Sequence, residues 1–375
     1  MLIGAFVADA ASMVSALLNN QETPTTIFVN LKGVLPLAHL TTRPVDARRR
    51  WRALMYRVYG QSTNRSTPQP LHWIYGADKI KEKIGDGDTF KHPEFFHPPS
   101  CPYYSTEMFP GHYGPGQVSP YGEEMLCLVD YMVKSKGEFA SPEGFADALL
   151  HWAETFGGRP NSCTKQFAER RKAGGKYPKC GADDYQINSV IKAVVITARY
   201  YGRPELADKV EQAIRVHQND DKAVEFGLAA ARALERVIIG NEGLKDVASK
   251  PSSDDTDNVK AAVSVTTSNK SLAPLDFLKV VADHAKMENP VYASSCALPG
   301  AYMFPLFFIL SAAEPSYEEA LRENIRLGGD NCSRAVFLGA LLAASGSAAP
   351  KEWQAKVTGL AEFEKMVDVI VPHKG

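Results

Sequence analysis

A few side chains in this sequence have the type and setting to do chemistry. Cys332 follows Gly328-Gly329-Asp330-Asn331 and opens a run of small and apolar residues, so a helix starting there would carry its thiol in the first turn. Amide groups and the helix dipole favour a thiolate at that place, which would make Cys332 a nucleophile with His72 as its base. The other reading is an inert thiol, because free cysteine is among the most buried residue types. His72, Trp73 and Tyr75 stand close together. They would form one wall of a pocket, stacking a flat ring and offering a nitrogen that titrates near neutral pH, or else His72 is a hydrogen-bonded packing residue. Asp183 and Asp184, paired after Gly181, suit the positive end of a helix, and Asp330 suits an N-cap.

The elements that must position these groups read as helices. Met125–Val133, Gly144–Phe156, Ile187–Tyr201 and Ala223–Ile239 carry apolar residues at three- and four-residue spacing. Ser141-Pro142-Glu143, Arg203-Pro204-Glu205 and Pro315-Ser316 precede acidic first turns, and Gly157-Gly158, Gly202 and Gly240 follow apolar runs where helices stop. Thr25–Leu31 is the best strand candidate in a chain otherwise poor in alternating patterns. The expectation is an all-α, single-domain, multi-helix fold. Asp86–Gln117, crowded with Pro, Gly and aromatics, reads as an ordered loop packed over the core, and the polar stretch Ser249–Ser271 as a surface or mobile connection.

Composition narrows the function classes. The 375 residues are 45% hydrophobic and 23% charged with a net charge of -1, so no field draws the chain to nucleic acid or an anionic membrane. A small-molecule ligand is the expected partner. Six cysteines at 101, 127, 163, 180, 296 and 332 form no C-x-x-C pair, which predicts reduced thiols in a cytoplasmic setting and no structural zinc. Ala301–Ala313 is apolar but shorter than the roughly 20 residues of a membrane span, and predicts a buried core helix. The apolar N-terminus lacks a basic flank and is interrupted by Asp9, unlike a secretory signal.

Several segments carry a family resemblance. Pro315–Gly346 is a helix, a Gly-Gly turn, then Asp-Asn-Cys-Ser opening a small-residue helix; Gly4–Met13 and Val216–Gly240 match in the same order. Together they resemble the ADP-ribosylglycohydrolase superfamily over most of the chain. Pro70-Leu71-His72-Trp73-Ile74-Tyr75, with Asn161-Ser162-Cys163 and Cys180–Asp184, is similar to the branch that contains the J-type lens crystallins and selenoprotein J. Val14–Gln69 interrupts the passage from the opening helix to that string, and is expected outside the core as an insertion or a translated intron.

The resemblance implies hydrolysis of a glycosidic bond in an ADP-ribosyl or nucleotide-sugar-like ligand. It also implies two Mg ions between an early Thr-Asp-Asp-Thr and a late Asp-Thr-Asp-Thr. Here those clusters fall on Pro120-Tyr121-Gly122-Glu123 and Asp330-Asn331-Cys332-Ser333. Hard cations need several oxygen ligands, so at most one Mg is expected, held by Asp9, Asp330 and Ser333, with Glu123 and Glu124 as neighbours that would rebuild part of the site. Asp330, Glu123, His72 and Cys332 are the catalytic candidates, and Trp73, Tyr75, Tyr121, Asp183, Asp184 and Asn331 the ligand-binding ones. Asp9, His72, Glu123, Asp330 and Cys332 are expected to meet in one cleft. The rival reading is a non-catalytic, crystallin-like scaffold or small-molecule-binding protein.

Overall fold

The computed structural model describes residues 1–13, 109, 111–113, 116–240, 242–287 and 290–371. Among these residues the helices are α1 (Leu2–Met13), α2 (Pro120–Lys134), α3 (Pro142–Thr155), α4 (Ser162–Lys172), α5 (Asn188–Tyr200), α6 (Leu206–His217), α7 (Asp221–Ile238) and α8 (Leu244–Ser249). The chain continues through α9 (Asp257–Ser268), α10 (Pro274–His284), a 3-10 turn at Pro290–Ser294, α11 (Gly300–Ser311), α12 (Tyr317–Leu327), α13 (Asn331–Ala344), α14 (Lys351–Gln354) and α15 (Leu360–Ile370). No strand occurs among the described residues, whose only ladder contacts are isolated bridges between Ala182 and Gln218 and between Gln186 and Ala297.

The starts of these helices follow their capping chemistry. Ser119 accepts from the Tyr121 and Gly122 amides ahead of α2, and Ser141 accepts from Gly144 ahead of α3. Ser316 accepts from the Glu319 amide while its hydroxyl donates to the Glu319 carboxylate at 3.0 Å, a reciprocal cap at the head of α12. α11 is apolar on every side, including an internal Pro305, and is buried over nearly its whole length as expected for Ala301–Ala313. Among the described residues no helix is long and apolar enough to cross a membrane.

Two packing contacts set the frame of the site. α5 is buried on almost every face, with α2, α6 and α7 laid against it. α1 runs along α13, and glycine lets the two backbones touch: a Cβ on Gly4 would lie 2.3 Å from Ala343 Cβ, and one on Gly339 would lie 2.4 Å from Ala8 Cβ. Tyr317 on α12 donates its hydroxyl to the Gly4 carbonyl at 2.5 Å, tying a third helix to this pair.

The stretch Ser249–Ser271 is corrected by the structure. It holds α9, capped by Thr256, with Val259, Ala262 and Val263 buried against the core. The few apolar residues fall on one helical face, and its polar remainder hid them. Val14–Gln69, the strand candidate Thr25–Leu31, and His72, Trp73 and Tyr75 lie outside the described residues. The end of the aromatic loop does pack down: Tyr113 is buried, touches Phe109 edge-on at 5.6 Å and accepts from the Arg159 amide at 2.7 Å.

Candidate functional site

Asp9, in the second half of α1, is buried and faces the head of α2. Its Oδ2 accepts from the Ser119 amide at 2.7 Å and its Oδ1 from the Ser119 hydroxyl at 2.5 Å. Ser119 is itself the α2 cap, so one carboxylate anchors that helix start to α1. The approach is close enough to require glycine at 122, where a Cβ would sit 2.4 Å from Asp9 Oδ2. Burial pushes the Asp9 carboxyl up to about 7; the Ser119 hydrogen bonds oppose that and the charges of Glu123 and Asp330 add to it.

Asp330 stands at the head of α13, after a Gly-Gly turn that no other residue would fit. Gly329 has φ +67° and a Cβ there would lie 2.3 Å from the Ser294 carbonyl oxygen. That same carbonyl accepts from the Asp330 amide at 2.9 Å. Asp330 occupies the N-cap position but its side chain makes no capping bond. Its Oδ2 instead accepts from the Tyr121 hydroxyl at 2.5 Å, joining the heads of α13 and α2. The N-cap function expected of this aspartate is therefore not what its carboxylate does. Burial pushes its carboxyl upward, against the pull of Tyr121, Arg334, Cys296 and Arg159.

Glu123, two residues beyond Tyr121, is part-exposed at 26% and lies 3.6 Å from His112 Nδ1. Burial raises its pKa, with His112 opposing. Asp9, Tyr121, Glu123, Asp330 and Cys332 thus come together where α1, α2 and α13 meet, each acting electrostatically on one or more of the others. His72 lies outside the described residues, so its place in that group is not shown.

Two residues that sequence reasoning left out complete this wall. Gln186 and Cys296 come together through the 186–297 bridge, where the Ile187 amide donates to the Cys296 carbonyl at 2.9 Å. The Cys296 thiol donates to Gln186 Oε1 at 3.1 Å, and the charge of Asp330 acts on it. Gln186 Nε2 donates to Asp184 Oδ2 at 2.7 Å, so Asp184 is linked to the site through a short polar chain. Asp183 is separate: it is exposed and pairs with Arg170.

Cys332 corrects the nucleophile expectation. The thiol is buried, and that burial, with Asp9 and Asp330 nearby, pushes its pKa well above the ordinary value, so it is not poised as a thiolate. Asn331 is also fully buried; Asn324 donates to its carbonyl at 2.8 Å, and its own side-chain nitrogen has no partner among the described residues.

Glu124 turns away from the site rather than rebuilding it. Fully buried, its Oε1 takes the Lys192 ammonium at 2.5 Å and lies 3.1 Å from His217 Nδ1, while Oε2 accepts from Asn188 at 2.6 Å. Lys192 also reaches His217 Nδ1 at 2.8 Å and the Asn188 carbonyl at 3.3 Å, and His217 Nε2 lies 3.1 Å from Thr164 Oγ1. Burial opposes the Glu124 charge, but His217 and Lys192 overcome it and hold the carboxyl well below the usual range. Burial lowers the His217 pKa against the opposing pull of Glu124; its Nδ1 faces both Lys192 and Glu124, and its Nε2 faces Thr164.

The residues present do not fit a two-magnesium centre. Both Asp9 oxygens are committed to Ser119, Asp330 Oδ2 is committed to Tyr121, and the Ser333 hydroxyl donates to the Asp330 carbonyl at 2.8 Å. The early cluster supplies one carboxylate, Glu123, where two aspartates would be needed. Among the described residues no group of three or more His, Cys, Asp or Glu is arranged to hold an ion.

Comparison with known proteins bears on the family and the fold. The family model described as ADP-ribosylglycohydrolase matches residues 68–374. Crystallin J1A of Tripedalia cystophora is 24% identical over 314 residues, covering 79% of this chain and 89% of its own. Crystallin J1B of the same organism is 22% identical over the same shares. A solved structure titled ADP-ribosylglycohydrolase-related protein complex superposes with a TM-score of 0.51 at 19% identity, covering 69% of this chain and 82% of its own, which supports the fold.

Proposed function

The chain belongs to the ADP-ribosylglycohydrolase family, and from that premise we propose that it hydrolyses a glycosidic bond of an ADP-ribosyl or nucleotide-sugar-like ligand through carboxylates, without a two-magnesium centre. The observation that carries this reading is the Tyr121–Asp330 hydrogen bond at 2.5 Å, which takes the Asp330 carboxylate off helix-capping duty and holds it part-buried near Asp9, whose carboxyl also feels the charge of Glu123.

Cleavage of such a bond passes through an oxocarbenium-like state, which a nearby carboxylate stabilises, while an acid protonates the leaving group. Asp330, oriented by Tyr121, stabilises that state and takes a proton from the water that adds to the anomeric carbon as the bond to the leaving group breaks. Glu123, with its pKa raised by burial and His112 beside it, serves as the general acid. Asp9 keeps Tyr121 and Glu123 in place by anchoring the start of α2.

The test is hydrolysis of an ADP-ribosylated peptide and of a para-nitrophenyl analogue, in EDTA and in added magnesium. Equal rates in both conditions support the proposal. Glu123→Gln should slow the peptide, whose leaving group needs a proton, and spare the nitrophenyl analogue, whose leaving group does not. A strict magnesium requirement would remove the metal-independent reading, and equal slowing of both substrates would remove Glu123 as the general acid. Binding of ADP-ribose with no turnover of either substrate would favour the ligand-binding protein instead.

A further inference from the structure

Arg334 is a fully buried guanidinium one turn into α13, followed in sequence by Ala335, Val336, Phe337 and Leu338. Ion pairs do not account for it, because its bonds run to neutral acceptors. Nε donates to Asn324 Oδ1 at 2.9 Å, Nη1 to the Ser294 carbonyl, and Nη2 to the Gly328 carbonyl at 2.5 Å and the Asn324 carbonyl at 3.5 Å. The plane of the group also lies over the Phe304 ring, 5.4 Å from its centroid.

These acceptors share one feature. Ser294 is the residue against which Gly329 packs and onto which the Asp330 amide bonds. Gly328 opens the turn, and Asn324 holds the Asn331 carbonyl at the start of α13. One side chain therefore gathers both sides of the loop that carries Asp330. The guanidinium remains a cation at neutral pH even though burial lowers its pKa to about 10, and its charge acts on Asp330.

We propose that Arg334 is a positioning residue: its planar fork clamps the Gly328–Asp330 turn to Ser294, supplying from within the chain the fixed positive charge and rigidity that the residues of this site are not arranged to take from metal ions. The proposal rests on the reading of Asp330 as the working carboxylate, but its structural half stands without it. An ammonium on a flexible stem has no planar fork with donors at fixed angles, whereas the guanidinium holds two loops in register. Replacing Arg334 loosens the turn before it unfolds the helix.

The experiment uses the full chain with Arg334→Lys and Arg334→Met. Hydrogen exchange is followed in the peptide spanning 326–332 and, as an internal reference, in the second half of α13. Arg334→Lys is expected to speed exchange at the turn by about tenfold while the reference stays protected, and to lower kcat on an ADP-ribosylated peptide by about 10- to 100-fold with KM nearly unchanged. Arg334→Met should go further in the same direction, and methylguanidine should restore part of its protection. If Arg334→Met does not fold, the lysine variant alone decides. Unchanged exchange at the turn in a folded Arg334→Lys, or uniform loss of protection in turn and reference alike, overturns the clamp. If the wild-type chain hydrolyses nothing, the function proposal fails while the exchange result still judges Arg334.

Discussion

Replacing Lys192 by Met isolates an ion pair whose two side chains are both buried. The ammonium spends its three protons on Glu124 Oε1, His217 Nδ1 and the Asn188 carbonyl. Its loss leaves the Glu124 carboxylate in the core with the amides of Asn188 and Asn161 at 2.6 and 3.5 Å, and a neutral imidazole. Removing one partner of a buried pair costs about 3–5 kcal/mol, because the remaining charge is uncompensated. Met matches the lysine stem, so little of that loss comes from packing. For a domain of this size it corresponds to a drop in thermal midpoint of roughly 4–9 °C.

The pH dependence follows from the two partners. Both Glu124 and His217 have folded-state pKa values below their ordinary values of 4.5 and 6.5. Their stabilisation is thus complete above those values and is lost as the pH falls, first through the histidine range and then through the carboxylate range. In Lys192→Met the histidine no longer faces the ammonium but still lies 3.1 Å from Glu124, so it gains a proton on acidification and recovers part of the pair. The deficit against wild type should therefore be largest near pH 8 and shrink by about pH 6. Urea or thermal unfolding at both pH values measures it, with Glu124→Gln and Glu124→Gln/Lys192→Met completing a double-mutant cycle. The double variant should be more stable than Lys192→Met alone. A single variant as stable as wild type near pH 8, or a double variant that recovers nothing, would refute the reasoning.

Two further expectations concern the site's supports. Asp9 binds its proton more tightly folded than unfolded, with a pKa of about 7 against 3.8, so its contribution is intact at low pH and is lost as the pH rises through 7. Asp9→Asn, which does not ionise, should gain on wild type by about 1–3 kcal/mol between about pH 5 and pH 8.5, read by paired urea titrations. Gly329→Ala meets both a φ of +67° and the Ser294 carbonyl at 2.3 Å. It should lower stability by about 2–4 kcal/mol in thermal unfolding and, by moving Asp330, lower turnover as well.

Helix positions were legible because apolar spacing and caps act locally: Met125–Val133 lies inside α2, and Ser141 and Ser316 cap α3 and α12. The meeting of Asp9, Glu123 and Asp330 was readable only through the resemblance of distant segments. What escaped was the direction of individual side chains. Glu123 and Glu124 look alike in sequence, yet one residue of helix rotation sends the first to the site and the second to partners 68 and 93 positions away. A signal did exist. Lys192 interrupts Val190-Ile191 and Ala193–Ile196, and Arg334 precedes Ala335–Leu338, and a lone cation in an apolar helix must find acceptors inside the fold. Cys296 and Gln186 had no such mark, since only the bridge between their loops brings them to Asp330.

The central claim is that Asp330 does chemistry rather than hold the fold. Its side chain makes no capping bond, so Asp330→Asn removes the charge and leaves the turn's backbone contacts to Ser294 in place. Wild type and Asp330→Asn should be assayed on an ADP-ribosylated peptide in EDTA, with thermal midpoints measured on the same samples. The account predicts that wild type turns over, that Asp330→Asn loses about 10²- to 10⁴-fold in kcat, and that its midpoint stays within about 3 °C. An asparagine variant that unfolds, or one that keeps the wild-type rate, contradicts it.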